Sequence, residues 1–322
     1  MLVALSVAAF FLSLALGTKS IPISDAISAY FDRDPDNLNH LIVRDLRQPR
    51  TMLGIVVGAG LGGAGALMQG VTRNPLADPG LLGVNAGASF AVVVGISFFG
   101  VTGTVGQVWF ALAGAAVASV VVYVLGTTGR SGATPVRLAL AGAALAALLF
   151  ALTRTVLLSD EAALDEFRFW AVGSLAGRQP DLANQVAPFI IAGVVIAFAA
   201  ARQLNALALG DEAARALGTR LGVARGVSVL GIMLLCGAAV AAAGPIVFVG
   251  LVVPHAARAW FGPDQRWLIP ASVVLGVVLI LLCDTAGRLV SRPAEIQVGI
   301  MTAVLGGPMF ILLVRRTRMA QL

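Results

Sequence analysis

The stretch that decides the fold is "RQPRTMLGIVVGAGLGGAGALMQGVTRNPLADPGLLGVNAGAS", residues 47–89. Two apolar, glycine-rich runs flank a polar elbow at 70–83, which contains Asn74-Pro75 and Asp78-Pro79. Small residues recur every four positions on both sides of this elbow. Such spacing forms one stripe along a helix, and small stripes let membrane helices approach closely. We therefore predict two packed membrane helices joined by a sharp turn. The stripes are Gly58, Gly62, Ala66 and Gly70, then Gly83, Gly87, Ala91 and Gly95.

The composition is that of an integral membrane protein. Of 322 residues, 58% are hydrophobic and 12% charged, with a mean hydropathy of +0.93, whereas a soluble domain carries about a quarter charged residues. Apart from the histidines, every basic residue except Lys19 is an arginine, and before the C-terminal stretch 315–318 these arginines lie singly at the ends of apolar runs. This pattern indicates anchors at the membrane edge and excludes a nucleic-acid-binding patch. The two cysteines lie within apolar runs and the two histidines are far apart, so no metal site is predicted.

Apolar runs of the length needed to cross a bilayer, about 20 residues, predict ten spans. The first is interpreted as a span rather than a signal peptide because it has no positively charged start and no small-residue cleavage site. Gly244-Pro245 breaks one long apolar run into two spans. The chain is therefore predicted to be one all-α, polytopic transmembrane domain over 1–322. The spans lie near 2–17, 51–69, 81–99, 105–126, 136–158, 183–201, 226–243, 245–261, 267–284 and 296–314.

The orientation follows from the charges at the C-terminus. An even number of spans puts both termini on one side of the membrane. The basic cluster "RRTR", residues 315–318, makes that side cytoplasmic by the positive-inside rule. The elbow at 70–83 is then a cytoplasmic turn.

The longest polar interruption on this inner side is "ARQLNALALGDEAARALGTRLGVARG", residues 201–226. Asp211 is expected to cap a short helix that Gly218 ends, and "TRLGVAR" is expected to start a second. Two short helices would form a protrusion on the inner face. A solvated amphipathic surface helix is the alternative at this point.

Four stretches together resemble one family: the 44-residue stretch that begins at Leu46, "LGDEAARALG", "GPIVFVGLVVPH" and "RPAEIQVGIMTAVLGGPMF". They are similar to permease subunits of binding-protein-dependent ABC importers of the iron-siderophore, haem and vitamin B12 type. The resemblance implies a type II ABC importer permease-like fold of ten spans in the plasma membrane. It also implies a second permease subunit, identical or similar, two cytoplasmic ATPase subunits and an extracytoplasmic binding protein.

The resemblance implies site residues as well. "EAARALG" at 212–218 is similar to the EAA-x-x-x-G coupling motif, so the loop at about 202–226 would contact the ATPase. Arg47, Arg50 and Arg292 would meet carboxylates of the binding protein, although arginines at span ends also anchor at lipid headgroups. Thr134 and Pro135, in "SGATPVR", are candidates for an inner gate. The coupling residues would be Gly210, Asp211, Glu212, Ala213, Ala214, Arg215, Leu217 and Gly218.

No catalytic site is predicted in the chain itself. Its single lysine lies in "GTKS", without the glycine-rich phosphate loop of a Walker A site, so ATP and Mg²⁺ would bind to the partner ATPase and this chain would carry no cofactor. Asp284 and Arg288 are spaced to pair along one helix, and a structural pair is preferred over an ion pathway.

The predicted function is inward transport of a ferric siderophore or a related metal chelate. Haem or cobalamin import is the alternative within the family. An ion-coupled secondary transporter is the alternative from another class, although the spans carry almost no charge near the bilayer midplane. A membrane-embedded enzyme is a third.

Overall fold

The structure, a computed structural model, describes residues 2–31, 34–128 and 134–319, and in these ranges helices are joined by turns. A π-helical turn, Ile42–Arg47, leads directly into α4, and a 3-10 turn, Pro79–Leu82, precedes α5. The α-helices are α1 Leu2–Ala15, α2 Ile23–Phe31, α3 Leu38–Leu41, α4 Gln48–Thr72, α5 Val84–Phe99, α6 Thr104–Thr127, α7 Pro135–Ser159, α8 Glu161–Ala171, α9 Leu182–Ala208, α10 Asp211–Ala216, α11 Leu221–Ala243, α12 Val249–Phe261, α13 Gln265–Val290 and α14 Val298–Met319.

Six of the described helical stretches are long and apolar enough to cross a membrane: α3 continued through α4, then α6, α7, α9, α11 and α13. Shorter apolar helices are α1, α5 and the first part of α14. The remaining predicted span corresponds to α12, which carries Pro254 in its interior. Each of the ten predicted spans coincides with a helix. The all-α, polytopic architecture is confirmed.

The core of the bundle is α4, which is buried along most of its length because α9, α11, α12 and α13 surround it. Glycines allow this packing. A Cβ atom on Gly58 would lie 2.6 Å from the carbonyl oxygen of Gly276 in α13, and Gly65 lies against Gly250 in α12. Helices in lipid depend on such close backbone contacts. The small residues of α4 therefore fix the position of the helix that runs through the centre of the molecule.

The expectation that the two small-residue stripes pack on each other is wrong. The α4 stripe faces α13, where Gly62 meets Ser272, and the α5 stripe faces α6, where Gly87 meets Gly114. The elbow is longer than a tight turn because it contains the 3-10 turn, and that turn packs against Gly142 of α7. The elbow thereby separates α4 from α5 and gives each stripe another partner.

Residues 201–226 hold one short helix, not two. α9 continues to Ala208, α10 is the single short helix, and the "TRLGVAR" segment forms a linker and the first turn of α11. Leu221 and Ala224 are buried in that turn. Their apolar side chains pack into the bundle, so the segment extends the span rather than lying across the surface.

The predicted break at Gly244-Pro245 is confirmed, but the next helix starts later than expected. Gly244 has a φ of 78°, Phe248 has a φ of 69°, and α12 begins at Val249. These non-helical residues pack beside the end of α8, where the amide of Ser174 donates to the carbonyl oxygen of Ala243 at 2.7 Å. The break therefore places irregular backbone inside the protein, where other protein groups satisfy it.

A helix that the sequence did not predict, α8, lies in the loop after α7. Asp160 caps it by accepting a hydrogen bond from the amide of Ala163 at 3.0 Å. Phe167 and Trp170 stack on each other at a centroid distance of 5.8 Å, and Trp170 is buried against the bundle. α8 therefore covers one end of the bundle rather than crossing the membrane.

Candidate functional site

The short helix α10 stands between two glycines with positive φ, Gly210 at 103° and Gly218 at 81°. Glycine adopts this backbone region without the strain other residues incur. The predicted end of the helix at Gly218 is confirmed, because its amide bonds back to the carbonyl oxygen of Arg215. The predicted cap is wrong: Gly210 holds the N-cap position, and no side chain caps the helix.

One face of α10 is buried and the other is open. Ala214 is buried, whereas Glu212, Arg215 and Leu217 are exposed, and the Leu217 side chain is 66% exposed. An exposed leucine on this short helix offers a small apolar contact surface for a partner.

Asp211 binds two arginines that belong to other elements. Arg225, in the second turn of α11, donates from Nη2 to both carboxylate oxygens at 2.9 and 2.8 Å. Nη2 of Arg73, the residue that ends α4, lies 3.2 Å from Oδ1. Burial raises the pKa of Asp211, but the hydrogen bond from Arg225 and the charges of Arg225, Arg73 and Arg215 together lower it below its usual value. We call Asp211, Arg73 and Arg225 the inner triad.

A second cluster lies at the opposite end of α4. Arg50 donates from Nε to both carboxylate oxygens of Asp284 at 3.1 and 3.0 Å, and from Nη2 to Oδ1 at 2.8 Å. The predicted pair along α13 is confirmed, since Nε of Arg288 lies 3.3 Å from Oδ2 of Asp284. The Asp284 and Arg288 side chains are almost fully buried. We call Arg50, Asp284 and Arg288 the outer cluster.

The side chain of Arg47 hydrogen-bonds to backbone carbonyl groups of the same chain. It is buried and donates from Nη1 to the carbonyl oxygens of Leu14 and Ala15 at 2.7 and 2.8 Å, and from Nη2 to that of Lys19. These carbonyls lie at and just beyond the C-terminal end of α1, where a cation satisfies unpaired acceptors and the helix dipole. The sequence spacing did not indicate this role.

The other residues predicted for docking lie nearer the surface. Arg292 is exposed and donates from Nη2 to the carbonyl oxygen of Gly17 at 2.7 Å. Arg50 uses Nη1 to bind Oε2 of Glu295 at 2.6 Å, and the Glu295 side chain is 31% exposed. Among the three predicted docking arginines, Arg292 is the one whose side chain is open to a partner in this conformation.

Two cavities of about 410 and 430 Å³ open beside the outer cluster. Both are lined by Arg50, Glu295 and Arg178, a residue of the loop between α8 and α9. Arg178 donates from Nε to the carbonyl oxygen of Ser174 at 3.2 Å. The cavities make this end of the bundle a positively charged, partly open vestibule.

The gate candidates lie at the start of α7. The Thr134 side chain accepts a hydrogen bond from the amide of Arg137 at 3.4 Å and so caps the helix, and Pro135 is its first residue. The preceding residues of the motif, 131–133, lie outside the described residues. Thr134 therefore has a local capping role, and the gate role remains a prediction.

The two charge clusters are joined by α4. Arg50 lies in its first turn and Arg73 directly after its last residue, and 23 residues of helix span about 34 Å at 1.5 Å per residue. Sequence reasoning singled out Arg47, Arg50, Arg292 and the coupling residues, but it missed Arg73, Arg178, Arg225 and Glu295. Arg73, Arg225 and Glu295 lie inside the stretches quoted above, but no local spacing indicates their distant partners. Arg178 lies outside those stretches, in the loop between α8 and α9.

Comparison with known proteins gives a consistent result. The model of the FecCD transport family matches residues 5–316. The chain is 46% identical to the ferric enterobactin transport system permease protein FepD of Escherichia coli, over 95% of this chain and 91% of that protein. It is 41% identical to the iron(3+)-hydroxamate import system permease protein FhuB of Bacillus subtilis, over 96% of this chain and 80% of that protein.

A haem relative and a solved structure match over similar lengths. The hemin transport system permease protein HmuU of Yersinia pestis is 37% identical over 95% of this chain and 92% of that protein. A solved ABC transporter assigned to the metal-chelate type, in an inward-facing conformation, superposes with a TM-score of 0.84 and 28% sequence identity over 98% of this chain and 97% of the other.

Proposed function

The chain belongs to the FecCD transport family, and we propose that it is the membrane-spanning permease of an ABC importer that moves a ferric siderophore or a related metal chelate into the cytoplasm. The observation that carries this proposal is the family match over nearly the whole chain together with the all-helical bundle. A protein of this kind resides in the plasma membrane and undergoes no covalent chemistry with its cargo.

The relatives favour a siderophore over haem as the cargo. Permeases named for ferric enterobactin and iron hydroxamates are 46% and 41% identical to the chain, whereas the permease named for hemin is 37% identical. Haem remains the second candidate because the hemin relative also covers 95% of this chain.

Energy enters through α10, which we infer to be the coupling helix for cytoplasmic ATPase subunits. Its exposed face, with Glu212, Arg215 and Leu217, is available to a partner, and a glycine with positive φ flanks the helix at each end. The inner triad supports a mechanical role. Asp211 holds α10 to the end of α4 through Arg73 and to α11 through Arg225. A rigid-body push on α10 would therefore reach two buried spans directly.

The substrate-binding protein would dock at the opposite end, around the vestibule. Arg292 supports this inference most directly because it is exposed and its guanidinium pairs well with carboxylates. Arg50 could contribute if a carboxylate of the binding protein displaced Glu295. Arg47 would contribute indirectly, by holding the end of α1 beside Arg292.

The coupling role is tested by replacing residues 212–218 with a glycine-serine linker of equal length. The purified permease is reconstituted with its ATPase and its loaded binding protein, and ATP hydrolysis and chelate uptake are measured together. We expect uptake to be lost, with hydrolysis no longer stimulated by the binding protein. Unchanged stimulation would show that α10 is not the lever.

A matched pair of point variants controls for nonspecific damage. Leu217→Asp places a charge on the exposed face of α10, and Leu38→Asp places one on a leucine that is also exposed, 60%, at the opposite end of the bundle. Only Leu217→Asp should weaken ATPase binding.

The ion-coupled alternative makes a different prediction for uptake by membrane vesicles. Uptake would survive ATP depletion and would collapse when an uncoupler is added.

A further inference from the structure

A third cavity, of about 470 Å³, opens on the side of the bundle, where Phe150 and Arg154 on its wall are exposed. Its walls come from α5, α7, α8, the segment before α12, and α14, and most of the lining is apolar. The α7 side is formed by residues 150, 153, 154 and 157, which share one helical face. The polar groups on the walls include Asn85, Ser89 and Arg154.

α8 separates this cavity from the outer vestibule. Phe167 and Ala171 of α8 line the third cavity, whereas Phe169 and Trp170 of the same helix line the vestibule beside Arg50. A cargo that leaves the vestibule past α8 would therefore enter the third cavity next.

Arg154 is exposed in this chain, and a charged residue is unusual in a membrane span. It lies on α7 five residues before the helix ends at Ser159, about 7 Å along the helix axis. Within residues 2–31, 34–128 and 134–319, no carboxylate lies within 4 Å of its guanidinium. Ionisable residues within membrane spans are costly, and those that persist commonly mark the path of a substrate.

A different helix on the same cavity carries a second polar group, Asn85. Asn85, in the first turn of α5, has a buried Oδ1 atom that accepts no hydrogen bond from the described part of the chain. Buried polar atoms are normally paired. Within the described part of the chain, an amide oxygen without a hydrogen-bond donor and a guanidinium without a carboxylate within 4 Å thus line the same cavity.

We propose that Arg154, with Asn85 and Ser89, forms a transient binding site for the anionic oxygen groups of a ferric chelate, just inside α8. This inference rests on the proposed function and narrows its cargo to chelates with net negative charge, such as catecholates or carboxylates. A guanidinium binds such oxygens in pairs and keeps its charge. The rest of the cavity wall is apolar and keeps the affinity of the site low, so that the cargo can dissociate.

The competing role for Arg154 is to anchor α7 by reaching towards the lipid headgroups. The two roles differ in their dependence on the charge of the cargo. An anchoring arginine affects stability equally whatever the cargo, whereas a binding arginine discriminates between anionic and neutral chelates.

The test measures binding of two probes to the full-length permease in nanodiscs: an anionic ferric tris-catecholate and an uncharged ferric tris-hydroxamate, both labelled with radioactive iron. We expect Arg154→Gln to weaken binding of the catecholate by about tenfold or more and to leave the hydroxamate unchanged. Arg154→Lys should restore part of the affinity. Arg137→Gln, on the same helix but outside the cavity, is the matched control and should change neither.

Equal loss for both probes would assign Arg154 to anchoring and overturn the site, as would a parent protein that binds the catecholate no more tightly than the hydroxamate. Uptake separates this failure from failure of the proposed function. If the complete importer transports a chelate with ATP and Arg154→Gln binds like the parent, only the site is wrong. If the complete importer transports no chelate, the proposed function is wrong as well.

Discussion

The two ends of α4 carry similar chemistry in different surroundings. At one end Arg50 meets Asp284, whose side chain is 2% exposed, and Arg288 closes the cluster from within α13. At the other end Arg73 meets Asp211, whose side chain is 32% exposed, and the cluster includes a short surface helix. In both places one carboxylate binds two guanidiniums from different parts of the chain.

The difference in burial gives the two clusters different roles. Breaking a buried pair leaves an uncompensated charge inside the protein and is strongly destabilising. Breaking a partly exposed pair costs little, because water and salt screen the charges. The outer cluster therefore holds α4 and α13 together, whereas the inner triad, in the coupling role proposed above, would transmit movement without being essential for folding.

The largest effect is expected from Asp284→Asn. Arg50 and Arg288 would then face each other without the central negative charge, and we expect a loss of about 3 to 5 kcal/mol in the free energy of unfolding. Thermal melting of the detergent-solubilised protein measures this. Asp165→Asn is the control, because its pair with Arg168 is exposed and its removal should change the melting temperature very little. Similar melting of both variants would contradict a structural role for the outer cluster.

The next effect concerns Asp211→Asn. The variant should fold normally, since its carboxylate is partly exposed, but α10 would lose its charged link to α4 and α11. A coupling loss of about 1 kcal/mol corresponds to roughly fivefold slower uptake per ATP hydrolysed. Uptake and hydrolysis in proteoliposomes give this ratio, and Asp211→Glu should restore it. If Asp211→Asn lowered the melting temperature but left uptake per ATP hydrolysed unchanged, the inner triad would be structural and the roles of the two ends would be reversed.

A smaller effect is expected at the proposed docking surface around Arg292. Arg292→Glu should weaken capture of the binding protein a few-fold, and raising the salt concentration should weaken capture by the parent protein. Glu295→Gln should strengthen capture, because it frees one side of the Arg50 guanidinium. Charge reversal at Arg50 is a poorer test, since it would place a like charge beside Asp284. If neither variant nor the salt concentration changes capture of the binding protein, these residues are membrane-edge anchors.

The smallest effect is expected from pH. The pKa of Asp211 is lowered in the folded protein, so its stabilising contribution is complete above the unfolded value of about 3.9 and is lost as the pH falls through the folded value. The difference in melting temperature between the parent and Asp211→Asn should therefore stay constant from about pH 5.5 to 8 and shrink only below about pH 4. A difference that disappears near neutral pH would contradict the assigned ion pairs.

The course of the spans could be predicted from the sequence because hydropathy and proline breaks act locally. The elbow at 70–83 shows where this reasoning ends. Its stripes correctly indicated close packing, yet the partners are Gly276 of α13, which is remote in sequence, and Gly114 of α6, the helix after α5. The search for long apolar runs missed α8, because this helix is amphipathic and too short to span a membrane.

The candidate site was predictable only as a set of residues, not as a set of contacts. The end of α10 at Gly218 followed from a local rule, and so did the pairing of Asp284 with Arg288. The partners of Arg47 are carbonyl groups of α1, and those of Asp211 come from α4 and α11. Such long-range pairs depend on the tertiary arrangement and leave no mark in local spacing.

Labelling of a single cysteine tests the lever most directly. Leu217→Cys places a thiol on the exposed face of α10, in a background where the native Cys236 and Cys283 are buried and are replaced by alanine. In oriented membrane vesicles we expect an impermeant maleimide to label this position only from the cytoplasmic side, and bound ATPase to protect it. Labelling from the exterior, or labelling that the ATPase leaves unchanged, would contradict the assignment of α10 as the coupling helix.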